Sequence, residues 1–176
     1  MVSSSEMIDL EICGGSVFSI KTGKFEEKTI RVIGGKISSI TCPSQRFKDS
    51  DVKKRLHVKG CLVTQGFTDC AVRMRDPGFE HRGTMEIELK AAAAGGLTRI
   101  VCPPDTDPVL DQAGLVKMLI KQSSVFGAAE VLPLGALTKN LNGQKIAEMG
   151  ELFDAGCIGF SQANFPVQNT LVLLKA

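Results

Sequence analysis

The apolar pattern of this 176-residue chain changes period once, near Gly66, and that change constrains its fold more than any other feature. Between Ile8 and about Val63 the chain reads as short extended segments: IDLEICGG, SVFSI, KTIRVIGG, KISSITCP and RLHVKGCLV. β-branched residues recur at every second position there, as at Ile30 and Val32, which is the period of a strand with one face covered. The pairs Gly14–Gly15 and Gly34–Gly35 supply turn signals, and the polar stretch 43–55 reads as a solvated loop. A small β domain is expected over residues 1–63, as one part of a composite N-terminal β-sandwich.

Beyond Gly66, over residues 64–176, strands alternate with segments whose apolar residues recur every three or four positions. Strands are expected at 66–74, 98–102, 129–133 and 156–160, and helices at 85–94, 111–123 and 144–155. The first helix has Thr84 as its cap, Glu86 and Glu88 near its positive end, and Gly95–Gly96 as its stop. In the third, Ile146, Met149, Leu152 and Phe153 are expected to share one apolar face, with Gly156 as the stop. Asn169 or Thr170 reads as the cap of a fourth helix. Repeated β-α order implies right-handed crossovers and a parallel sheet. Four such strands leave two edges and one sheet face uncovered, so the sequence is expected to be a truncated polypeptide that self-associates or packs against a missing half.

Composition removes several classes of function. The 21 basic residues are scattered among 19 acidic ones, giving a net charge of +2 and no basic stripe for a phosphate backbone. Tyr and Trp are absent, which leaves only Phe for base stacking. Nucleic acid is therefore not an expected partner. No apolar run reaches the roughly 18 residues of a membrane span, and MVSSSEMIDLEI lacks the basic and apolar regions of a signal peptide. A cytoplasmic location is expected. The six cysteines are widely spaced and form no C-x-x-C pair, so free, mostly buried thiols are expected in place of disulfides or zinc ligands.

The run from Gly66 to Gly78, GFTDCAVRMRDPG, resembles the first-strand motif of the dihydroorotases, members of the amidohydrolase superfamily, whose pattern is Gly-Phe-x-Asp-x-His-x-His-x-Arg-Asp/Glu-Pro-Gly. Other motifs follow in order. AAAAGGLT at 91–98 is similar to the family's turn into strand two, VCPPDTDP at 101–108 to its Met-Pro-Asn-Thr-x-Pro loop, and GALT at 135–138 to its third-strand end. The resemblance implies a small N-terminal β domain followed by the first half of a (β/α)₈ barrel. A whole barrel takes roughly 250 residues.

What the resemblance implies about chemistry turns on substitutions. His-x-His spacing puts two imidazoles on one side of a strand, where they grip a metal ion. Those positions here are Ala71, which has no lone pair, and Arg73, which repels cations. A bridging aspartate is implied in a Phe-Ser-Asp-Asp-Gly run, but this chain has Phe160, Ser161, Gln162, Ala163 and Asn164, with Ala163 at the degraded position. Arg75 matches the arginine that pairs with the substrate carboxylate. Its asparagine partner is replaced by Asp105, which is expected to form an ion pair with Arg73 or Arg75. The two histidines, His57 and His81, fall outside the motif.

Arg75 and Asp105 are thus vestigial substrate-binding candidates, with no catalytic residue and no metal or cofactor expected. The run from Asp69 to Arg75 is similar to that of non-catalytic dihydroorotase homologues that assemble with aspartate carbamoyltransferase in pyrimidine biosynthesis, which implies an architectural role. The alternative is an active dihydroorotase that opens a cyclic amide with a zinc-bound hydroxide, its ligands supplied from elsewhere.

Overall fold

The computed structural model describes residues 7–44 and 49–176, which divide into two compact units, one ending at Gln65 and one beginning at Gly66. The first unit is a single five-stranded sheet. Strands β1 (Leu10–Ser19), β2 (Lys24–Ile33) and β3 (Lys36–Thr41) form an antiparallel meander, while β4 (Arg55–His57) and β5 (Leu62–Val63) both pair in parallel with β1. Gly34 and Gly35, both at positive φ, close the β2–β3 hairpin as a two-residue loop, a geometry that residues bearing a Cβ resist.

The other glycine pair does not make a turn. The two segments expected on either side of Gly14–Gly15 run as one strand, β1, with a bulge against β2 between Ile12 and Gly15. Close packing explains Gly15, since a Cβ there would lie 2.8 Å from Val58 Cγ2 and 2.9 Å from Val63 Cγ2. Charge fills part of the interior of this unit. Glu11 and Arg31, each 4% exposed, meet at 3.1 Å, and Arg55 Nε approaches the second oxygen of Glu11 at 2.6 Å. Arg31 also donates to Thr41 Oγ1.

The second unit is the parallel α/β arrangement that the sequence implies. Strands β6 (Phe67–Asp69), β7 (Leu97–Cys102), β8 (Glu130–Ala136) and β9 (Gly159–Ser161) lie in chain order, all parallel, as in half of a barrel sheet. Helices α1 (Met85–Ala94), α2 (Ala113–Phe126), α3 (Met149–Asp154) and α4 (Thr170–Lys175) follow them in turn. The core joins the helices to one sheet face, with Met85 and Leu89 of α1 and Leu119 of α2 packed on Ile100, Cys102 and Val131. On the opposite face the cross-strand neighbours Arg99 and Glu130 are exposed and paired at 2.9 Å.

Several element boundaries differ from the sequence reading. Helix α3 begins at Met149 and not at 144, because residues 145–147 are drawn into extended pairing: Lys139 N donates to Lys145 O, Ala147 N donates to Leu137 O, and Ile146 bridges Thr138. Ile146 is therefore outside the helix, and of the expected apolar face Leu152 is fully buried while Phe153 is 65% exposed. Thr84 occupies the N-cap position of α1, but the bond comes from another residue, with Asp76 Oδ2 accepting from Met85 N. Asn169 caps α4 by accepting from Leu171 N.

The thiols also depart from expectation. Only Cys102 and Cys157 are buried, while Cys42, Cys61 and Cys70 are exposed and Cys13 is half-buried. The exposed three lie at strand ends and turns, where adjacent apolar residues do not enclose them. All six are free.

Candidate functional site at the strand ends

The strand expected to run from 66 to 74 stops at Asp69. Asp69 Oδ1 accepts from Ala71 N at 3.0 Å, an Asx-type bond that turns the backbone out of the ladder. Ala71 and Arg73 are therefore not placed by strand alternation. They sit in an irregular segment held by Val72 N donating to Val101 O and Met74 N donating to Val72 O, with Met74 sunk into the core at 3% exposure.

Within that segment Arg73 is exposed and turned to the neighbouring loop. Its Nε donates to Asp105 Oδ2 at 2.7 Å, and the hydrogen bond and charge of Asp105 hold the guanidinium above its ordinary pKa. Of the two arginines open to Asp105 in the sequence reading, Arg73 is the partner. Arg75 is half-buried and makes no ion pair among the described residues, although its backbone carbonyl accepts from Phe79 N.

The loops after β6 and β7 press together. Asp107 N donates to Pro77 O, and Gly78, at φ +100, has no room for a Cβ against the backbone of Asp107. This contact joins the two loops that carry Arg73 and Asp105.

Ala163 lies beyond β9, at the other edge of the sheet, with φ +50 and its amide donating to Ser161 Oγ. No hydrogen bond or ion pair joins it to Ala71 or Arg73 among the described residues. Beside it the structure adds a relay that the sequence reading missed. Gly143 N donates to Thr138 Oγ1, and Thr138 in turn donates to Gln162 Oε1, both at 2.9 Å, with Thr138 fully buried. Gln162 Nε2 is buried without a partner among the described residues. The Thr of the GALT motif was the available signal.

This donor set does not fit zinc. Tetrahedral zinc sites need deprotonated sulfur, neutral imidazole or carboxylate ligands. Here one position has a methyl group, the next a guanidinium engaged with its own carboxylate, and the third another methyl group. Among the described residues no group of three or more His, Cys, Asp or Glu side chains is disposed to hold a metal ion. His81 is exposed and edge-on to Phe79, and His57 lies in the other unit.

The parallel β/α unit, preceded by a small sheet, defines the class: the chain has the fold of an amidohydrolase. The L-hydantoinase (dihydropyrimidinase) of Arthrobacter aurescens superposes with a TM-score of 0.78 at 23% identity, covering 96% of this chain and 37% of that one. D-aminoacylase superposes with a TM-score of 0.64 at 15% identity, covering 96% and 42%. Residues 60–175 match the dihydro-orotase-like family, and the chain belongs to it. A dihydroorotase of Pelotomaculum thermopropionicum is 38% identical over 167 residues, 95% of this chain and 38% of that protein. A dihydroorotase-like protein of Pseudomonas putida is 32% identical over 167 residues, 95% and 39%. The chain thus spans less than two-fifths of the length of either relative.

Proposed function

We propose that this chain is part of a dihydroorotase homologue of pyrimidine biosynthesis that has given up metal-dependent hydrolysis and serves as a structural partner of aspartate carbamoyltransferase in the cytoplasm. The observation that carries the reading is the Arg73–Asp105 ion pair, which puts a fixed cation where the family pattern has a metal-ligating imidazole. A guanidinium neither coordinates a cation nor gives up its proton, so it cannot be an atypical ligand. Arg75 keeps a planar donor capable of pairing with a carboxylate, which makes it the vestigial substrate-binding residue beside Asp105.

The partner is inferred from the resemblance of the run from Asp69 to Arg75. Exposed β6, with Phe67 at 61%, offers a sheet edge suited to self-association or to further strands of the same fold. The test pairs a dihydroorotate hydrolysis assay on the full-length protein with co-purification against aspartate carbamoyltransferase. No hydrolysis and a stable complex are expected. Turnover of dihydroorotate with bound zinc would establish the alternative, an active cyclic amidohydrolase.

A further inference from the structure

We propose that Cys13 and His57 form a thiol–imidazole pair that makes Cys13 the site at which this chain is oxidised by hydroperoxides. Sheet register creates the pair. β1 and β4 run parallel with Glu11 opposite Arg55 and Cys13 opposite His57, so strand alternation sets both pairs on one face. The Glu11–Arg55 ion pair, at 2.6 Å, pins that register two residues before the thiol. Cys13 Sγ then lies 3.2 Å from His57 Nδ1.

On its other side β1 bulges. Pairing with β2 passes from Ile12 to Gly15, leaving Cys13 and Gly14 without partners there, and Gly14 takes φ +81. Bulges of this kind re-aim side chains. His57 is exposed and Cys13 half-buried, so a small solute reaches the sulfur.

The chemistry balances with a hydroperoxide as oxidant. In the tautomer with its proton on Nε2, the imidazole offers the Nδ1 lone pair to the thiol proton, for which the Leu56 carbonyl oxygen at 3.6 Å is the other acceptor. The thiolate sulfur attacks the distal oxygen of the hydroperoxide, and the S–O bond forms as the O–O bond breaks. The departing hydroxide or alkoxide takes the proton from His57 and leaves as water or an alcohol. Sulfur is oxidised by two electrons to a sulfenic acid and the peroxide is reduced.

The other cysteines lack this arrangement. Burial pushes the thiols of Cys102 and Cys157 up to about 11. Cys61 and Cys70 are exposed with no base hydrogen-bonded to them among the described residues. Cys42 has Lys28 Nζ at 3.9 Å, an ammonium that offers charge but accepts no proton.

The six cysteines provide an internal comparison. The whole chain is treated with dilute hydrogen peroxide, sulfenic acid is trapped with a cyclic 1,3-dione, and each cysteine is quantified by mass spectrometry after digestion. Cys13 is expected to label at least about a hundred-fold faster than Cys61 and Cys70, the lower end of what a positioned base contributes. His57→Gln should bring Cys13 to their rate and leave theirs unchanged. Labelling of Cys13 no faster than Cys61 and Cys70 would overturn the proposal, as would a lead that survives His57→Gln. The wild-type ranking stands as a test even if the variant folds poorly.

Discussion

Arg73 Nε and Asp105 Oδ2 lie 2.7 Å apart and tie the segment after β6 to the loop after β7. In the motif resemblance Arg73 stands at a histidine position and Asp105 at an asparagine position, and the two side chains meet as a pair. Each charge neutralises the other. With the two side chains 38% and 19% exposed, solvent screens the interaction. Asp105→Asn and Arg73→Ala should each leave the urea-unfolding midpoint close to the wild type, with little coupling in the double-mutant cycle.

Restoring histidines alone should fail. Ala71→His with Arg73→His supplies two imidazoles on an irregular segment that β6 does not extend, while Ala163 still offers no carboxylate. The double variant is expected to show no hydrolysis of dihydroorotate in a spectrophotometric assay. Activity in it would mean that the remaining ligands are intact elsewhere.

The buried ion network of the first unit carries a larger cost. Glu11→Ala leaves Arg31, 4% exposed, without the carboxylate it meets at 3.1 Å. Loss of one partner of a buried pair costs about 3–5 kcal/mol. Chemical denaturation should register that drop, with Glu11→Gln falling between Glu11→Ala and the wild type.

Alkaline pH should weaken the second unit through Cys102. Burial raises this thiol from 9.0 to about 11, so the folded state favours the neutral form. The contribution is complete below pH 9 and is lost as pH rises from 9 towards 11, on the order of 2–3 kcal/mol in all. Thermal unfolding between pH 8 and 11 should show this decline, and Cys102→Ala should make it shallower, leaving the share of the similarly raised Cys157, while lowering stability at neutral pH through the cavity it opens.

The order of elements was legible from periodicity, because strands of period two and helices of period 3.6 leave different apolar patterns. Helix α1 falls on residues 85–94 as expected, since Met85 and Leu89 face the core and Gly95–Gly96 ends the run. The failures have local causes. Gly14–Gly15 signals a turn by composition, but the pair serves a bulge and a close approach of Val58 and Val63, a contact that depends on β4 and β5. The start of α3 was misplaced because pairing across 137–139 captured Ile146. At the strand ends the expected ion pair of Asp105 forms with Arg73, whereas the end of β6 was set by the Asp69 side chain, which competes for a backbone amide invisible to an alternation rule. The Thr138–Gln162 relay needed two loops brought together in space.

The proposed reading gives the strand-end site a fixed guanidinium and no metal. It is tested most directly by elemental analysis of the protein purified from zinc-supplemented culture without chelators. Zinc well below one ion per chain, unchanged in Arg73→Ala, is the predicted result. About one tightly held zinc per chain, lost on substitution of residues in the 69–75 segment, would contradict it.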